Sequence, residues 1–358
     1  MRIIGCDLHA AQQTIAMLNR ETGEIVERTL LHEGTTVRDF YAELPPPIVV
    51  GIEATGSMGW FLRLMEELDV TCHVGDPARI RKVETRRQKH DRRDAALLLE
   101  LLTENRFPAI WMPPSELRDL RALLRHRDQW VRMRTRVKNA LQGLALTHGL
   151  RRGAGLWTRD GQATLASLPL APHAGHRRSE LQKLHDHLTT HIDQLDEEVS
   201  EQARARPQAR RLMTHPGVGP VTALATEVCL GDPSRFVDAK ALASYVGMIP
   251  SEYSSGDRQR LGRLTKQGNP MLRFLWCEAL SMRCGATRRW VVSIGENCSR
   301  RGSVRRGSPW RGNSASASGF CYAIKSITRS SAVALHYERR RGDACMRGCL
   351  CGDVVRGS

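Results

Sequence analysis

The first hundred residues carry short apolar runs that end in polar residues and alternate with segments of helical period. RIIGCDLH, QTIAMLN and, after Glu21-Thr22-Gly23, EIVERTLL predict three antiparallel strands with a turn between the last two. VRDFYAEL then reads as a helix, and PIVVGIEATG as a buried strand opening onto a Gly-containing loop. MGWFLRLMEEL is helical with Trp60, Leu64 and Leu68 on one face, TCHVGD is a strand, and DRRDAALLLELLTE is a helix. A meander leading into β-α-β-α units predicts an α/β sheet domain over residues 1–112.

From residue 113 to about 207 the period becomes helical throughout. Leu117, Leu120, Leu124 and Val131 form one stripe; Leu181, Leu184, Leu188, Ile192, Leu195 and Val199 form another, spaced 3, 4, 4, 3 and 4. The second stripe is near heptad spacing, so two long helices are expected to pack as a coiled-coil-like hairpin or as half of a dimer seam. Between them, GAGLWTRDGQ to APHAGHRRS reads as a Gly-rich polar linker. Residues 208–280 predict a mainly α unit. LMTHPGVGPVTALATEV is a helix, a Pro-Gly-x-Gly-Pro turn and a helix, followed by a further helix, a Ser/Gly/basic loop and a last helix to Leu280. Beyond Leu280 helical periodicity vanishes and Arg, Ser, Gly and Cys dominate.

Charge changes the picture only after it is divided. The net charge is +16, but Ser281 onward holds 15 Lys or Arg against 4 Asp or Glu, leaving +5 for the first 280 residues. Basicity favours a polyanion partner. Of the ten cysteines, six lie in the same tail; Cys6, Cys72, Cys229 and Cys277 sit among apolar neighbours, as free buried thiols do in a reducing compartment. MRIIGCDLHA reads as a strand and not as a signal peptide, and no run approaches the roughly 20 apolar residues of a membrane helix. A cytoplasmic location without a membrane partner is expected.

The chemistry centres on acids. Asp7 and Glu53 each close an apolar strand, and Asp91 and Asp94 stand at i and i+3 on one helix, so both face the same side. Carboxylates from two strand ends and a helix can converge, and their hard oxygens favour Mg²⁺ or Mn²⁺. Two such ions roughly 4 Å apart would activate the attacking oxygen and stabilise the leaving oxygen of a phosphodiester. Asp91 or Asp94 alone, beside Arg92 and Arg93, reads more simply as an ordinary surface acid. Arg79, Arg81, Lys82, Arg86, Arg87 and Lys89 fit a phosphate approach, or merely a solvated face.

GCDLHA, GIEATGS, DPARIRKVETRRQKHDRRDA, PGVGP and YVGMIPSEYSSGDRQRLGRLTKQGN, in that order, resemble the transposases of the insertion-sequence 110 family over about residues 2–280. KHDRRDA stands where that family has Lys-Thr-Asp-x-x-Asp-Ala, with His90 in place of the Thr. The resemblance implies a RuvC/RNase H-like N-terminal domain whose DEDD quartet is Asp7, Glu53, Asp91 and Asp94. It also implies a serine nucleophile in the C-terminal domain, a structured guide (bridge) RNA encoded with the mobile element, and a homo-oligomer acting on DNA.

The matching serine is Ser255, with Ser254 as the fallback. It would attack a DNA phosphate and hold it covalently, with Arg258, Arg260, Arg263 and Lys266 countering the phosphoryl charge. Taken alone, these residues favour a flexible Ser/Gly loop whose cations bind backbone phosphate; the resemblance reverses that preference. HPGVGP resembles a helix-hairpin-helix element, in which Gly217 and Gly219 let backbone amides approach a phosphate, and equally a plain turn between helices. His185, His187 and His191 read as an exposed helix face and not as a zinc site.

In the tail, SMRCGATR can be written in codons whose shifted frame reads HAVRRDP, which resembles what this family carries after its Leu-Arg-x-Leu helix. A frameshift near Ala279 to Ser281 would make residues 281–358 non-native; the alternative is a basic, disordered DNA-binding tail. The leading expectation is a transposase cutting and rejoining DNA with the acidic site and Ser255. The competitors are a stand-alone RuvC-like nuclease or junction resolvase, and an inactive remnant that only binds nucleic acid.

Overall fold

A computed structural model describes residues 1–83, 91–151, 153–215, 217–253 and 261–286. The chain divides into two compact units, residues 1–115 and residues 116 onward. Arg86, Arg87, Lys89, Ser254, Ser255, Arg258, Arg260 and the chain from residue 287 lie outside the described residues.

The N-terminal unit begins with the expected meander: β1 (Arg2–Leu8), β2 (Gln12–Asn19) and β3 (Ile25–Leu31). Then follow α1 (Thr36–Glu43), β4 (Ile48–Glu53), α2 (Gly59–Glu67), β5 (Thr71–Gly75), α3 (Pro77–Val83), α4 (Asp91–Thr103) and the short β6 (Ala109–Ile110). The sheet order is β3-β2-β1-β4-β5-β6. The first three strands are antiparallel, while β4 lies parallel to β1 and β5 parallel to β4.

Strand parity sorts β1 and β4 into two faces. Ile4, Cys6 and Leu8, with Ile48, Val50 and Ile52, join Val37, Tyr41, Phe61, Leu62, Leu64 and Met65 of α1 and α2 in one core. Trp60 and Leu68 sit at the margin of that core, so the buried face of α2 is offset from the stripe read in the sequence. The opposite parity, Ile3 with Ala16 of β2, packs on Ala95 and Leu99 of α4. The α3 helix, not anticipated, starts where the Asp76 carboxylate accepts from the backbone N–H of Ala78 at 2.9 Å, with Pro77 in the first turn.

The second unit is mainly helical. The long helices α5 (Ser115–Thr147) and α7 (Pro172–Ala205) run alongside each other. Arg127 grips the Asp196 carboxylate with both ends of its guanidinium fork, and Trp130 lies 4.8 Å from His191 between ring centres. Val137 and Leu141 share a core with Leu188. Leu188, Ile192 and Val199 of the heptad-like stripe are buried, whereas Leu184 is exposed.

The segment read as a polar linker is largely helical: a 3-10 turn at Gly153–Trp157, then α6 (Arg159–Ser167), with APHAGHRRS forming the start of α7. Thr158 caps α6 by accepting from Gly161 N–H at 3.2 Å. Gly161 is needed because a Cβ there would stand 2.0 Å from the Gly155 carbonyl oxygen. Gly161 therefore marks close packing where the sequence suggested a break.

Then come α8 (Pro207–Met213), α9 (Pro220–Leu230), α10 (Ala239–Val246), the antiparallel pair β7 (Pro250–Glu252) and β8 (Leu261–Leu264), and α11 (Pro270–Ala286). The Ser/Gly/basic segment thus leaves and re-enters through a two-stranded ribbon, not through loop alone. Trp276 is buried on α9, its indole N–H donating to Thr226 Oγ1 at 2.9 Å. Arg121 of α5 donates to the carbonyls of Val228 and Cys229 at the end of α9, where cations are favoured. The last helix continues past Leu280 to Ala286, since no Gly or Pro intervenes before Gly285. Cys6, Cys72 and Cys229 are free thiols. Among the described residues no helix is long and apolar enough to cross a membrane.

Candidate active site

The parity that buries Ile3 against α4 also decides where Asp7 points. Residues 3, 5 and 7 of β1 share the α4 face, and Gly5 lets that helix lie almost on the strand. A Cβ at Gly5 would stand 2.2 Å from the Ala95 carbonyl oxygen and 2.4 Å from the Leu99 nitrogen. With α4 held so close, its first turn, carrying Asp91 and Asp94, lies over the C-terminal end of β1. Carboxylates in a first helical turn are themselves stabilised by the positive end of the helix dipole.

Glu53 closes β4 one residue beyond Ile52, which pairs with Cys6. It shares parity with Gly51, whose missing side chain makes room for Leu102 of α4. Both strand-end acids therefore belong to the same edge and the same face of the sheet.

Three ligand atoms converge here: one each from Asp7, His9 and Asp91, all within 4.8 Å of one another. The Nε2 of His9 lies 3.0 Å from Asp7 Oδ2 and 3.7 Å from Asp91 Oδ1. Asp94 stands near enough to act electrostatically on Asp7, but its ligand atom and that of Glu53 fall outside this group. Glu53 is engaged by Arg81 of α3 at 3.5 Å. Arg79, another member of the basic run, pairs with Asp76 at 3.7 Å.

Burial pushes the Asp7 carboxyl above its ordinary value; His9 opposes this, and the Asp94 and Asp91 carboxylates add to it. A partly buried acid crowded by two others is a site of excess negative charge. Its donor set, carboxylate oxygens and one imidazole, fits a divalent cation such as Mg²⁺ or Mn²⁺.

In the second unit, Gly217 has a left-handed φ of 86°, and a Cβ there would stand 2.3 Å from the Ala279 carbonyl oxygen of α11. Gly219 caps α9 with open space around it. The two glycines of the turn thus differ: one is demanded by packing and the other is free. Arg263 on β8 and Lys266 just after it are both exposed. His187 and His191 lie beside Trp130, and His185 is stacked on Trp157 at 5.1 Å.

Two residues of consequence were not singled out in the sequence. His9 had a signal, standing two residues after Asp7 in the same motif. The role of Gly5 had none, because only the docked helix shows what its side chain would strike.

An α/β sheet with acids gathered at one end of its parallel strands and a largely helical second unit is consistent with a RuvC-like DEDD domain joined to a helical C-terminal region. The comparisons with known proteins agree. Residues 4–148 match the transposase model of the DEDD IS110 type, and residues 209–291 match "Transposase IS116/IS110/IS902 family". A Pseudomonas aeruginosa protein described as "Probable family 20 transposase" is 29% identical over 308 residues, covering 81% of this chain and 88% of its own. The transposase of insertion sequence element IS1111A from Coxiella burnetii is 30% identical over 276 residues, covering 69% and 75%. The pilin gene-inverting protein of Moraxella bovis is 27% identical over 175 residues, covering 48% and 45%. The chain belongs to the insertion-sequence 110 family of transposases.

Proposed function

We propose that this transposase cuts and rejoins DNA with a divalent-ion site built on Asp7, Glu53, Asp91 and Asp94 and with Ser255 as nucleophile. The observation that carries the first half is the convergence of Asp7 and Asp91, with Asp94 beside them, at the C-terminal ends of the central strands. When bound there, Mg²⁺ or Mn²⁺ supplies Lewis-acid stabilisation of the phosphodiester oxygens. Asp7 and the α4 carboxylates would hold the cation, with Gly5 setting the separation between strand and helix. Arg81, drawn to Glu53, brings positive charge to the same edge, where Arg86, Arg87 and Lys89 would extend a phosphate-binding approach.

Family likeness supports the second half. Ser255 falls in the sequence between β7 and β8, and beyond it Arg263 and Lys266 are exposed. Its hydroxyl would displace one DNA oxygen and hold the phosphate as an ester, with Arg258 and Arg260 countering the charge. The same likeness supports a guide RNA, a multimeric assembly and a serine-bearing region over 208–280, while the near-heptad stripe supports a coiled-coil role for residues 113–207. A frameshift near Ala279 to Ser281 rests on the change in composition beyond Leu280 alone, since the family match runs on to residue 291.

Purified full-length protein, incubated with element-end DNA, its guide RNA and Mg²⁺, tests the reading. Asp94→Ala is expected to abolish cleavage and strand exchange, and Ser255→Ala to abolish the covalent protein–DNA adduct. Wild-type adduct levels in Ser255→Ala would remove the serine role. Cleavage with no adduct would favour a resolvase, and binding with no cleavage an inactive remnant.

A further inference from the structure

We infer that His9 is a nitrogen ligand of the divalent ion and sets its preference towards Mn²⁺ over Mg²⁺. This rests on the metal-dependent reading above. The ligand atoms that meet in the fold are not the four acids of the quartet but Asp7, Asp91 and His9, with Glu53 turned to Arg81. Neighbouring ligands of an octahedral ion bound at 2.0–2.1 Å stand about 3.0 Å apart, and opposite ones about 4.2 Å. The 3.0 Å from His9 Nε2 to Asp7 Oδ2 matches the shorter separation, and the 3.7 Å to Asp91 Oδ1 falls between the two.

The backbone holds His9 in place. Its N–H donates to the Gln12 carbonyl at 3.0 Å, closing the turn between β1 and β2. The end of β3 braces the same turn: His32 N–H donates to the Ala11 carbonyl at 2.9 Å, and its ring Nδ1 donates to the Ala10 carbonyl at 3.2 Å. The turn thus fixes the backbone at His9 and brings its half-exposed ring to Asp7. Mg²⁺ prefers oxygen alone, while Mn²⁺ accepts an imidazole more readily.

The test measures binding, not turnover. Mn²⁺ titrated into metal-free full-length protein is followed by the paramagnetic resonance signal of the free ion, and Mg²⁺ by competition. His9→Ala is expected to weaken Mn²⁺ about tenfold and Mg²⁺ no more than about twofold, while His9→Asp shifts the preference towards Mg²⁺. If both variants bind both ions like the wild type, or lose them equally, while Asp7→Asn abolishes binding, His9 is not a ligand and the metal site stands. A wild-type protein that binds neither ion overturns both readings.

Discussion

At Gly5 the helix that carries Asp91 and Asp94 approaches the sheet too closely to leave room for a side chain. In Gly5→Ala the new methyl would stand 2.2 Å from the Ala95 carbonyl oxygen and 2.4 Å from the Leu99 nitrogen. Ordinary non-bonded contacts begin near 3.3–3.5 Å, so α4 must retreat by about 1 Å. Overpacking of this kind costs about 1–3 kcal/mol, and the upper end applies because both atoms struck are backbone. For a unit of this size that lowers the Tm by about 10 °C. The retreat also moves Asp91 and Asp94 from Asp7, and a displacement of about 1 Å can reduce cleavage about a hundredfold. Differential scanning calorimetry and a DNA-cleavage assay on the same preparation read both effects. Ala95→Gly should not rescue the variant, because the clash is with main-chain atoms. A Gly5→Ala protein within about 2 °C of wild type, or rescued by Ala95→Gly, would refute the reasoning.

Two further perturbations separate packing from chemistry. Gly217→Ala adds a Cβ at a left-handed φ of 86° and 2.3 Å from the Ala279 carbonyl oxygen, so a loss of more than about 2 kcal/mol is expected in urea unfolding. Gly219→Ala, with open space, should cost less than about 1 kcal/mol; equal stabilities with a shared loss of DNA affinity would instead favour phosphate binding by the turn. For Asp7 the folded carboxyl titrates above its ordinary 3.8, so its contribution to stability is present below that value and lost as pH rises through the raised pKa. In EDTA, Asp7→Asn should therefore gain stability relative to wild type as pH rises from 3.8 towards neutrality; a difference independent of pH would contradict the burial of that charge.

Much of the N-terminal unit was legible because its signals are local. The strands β1 to β5 follow from apolar runs bounded by turn residues, and α4 from its leucines. The positions of Asp7 and Glu53 at strand ends are visible in the same runs. Segments where local signals mislead are those whose reason is how the chain folds back on itself. The glycines between the long helices suggested a linker, yet Gly161 is there because the 3-10 turn before α6 folds back until the Gly155 carbonyl oxygen is 2.0 Å from where its Cβ would be. The strands β7 and β8 are each too short to show a period, and only their pairing makes them strands.

The sequence by itself determined which acids could act and which strands present them, since alternation along β1 assigns Asp7 a face without reference to any other element. It could not determine which of those groups meet. That depended on how closely α4 approaches β1, which Gly5 permits, and on the turn that swings His9 back over Asp7. Convergence of side chains is a property of packing between elements far apart in the chain, and no local pattern encodes the distance between them. Tertiary structure therefore gathered Asp7, His9 and Asp91 into one group and turned Glu53 to Arg81.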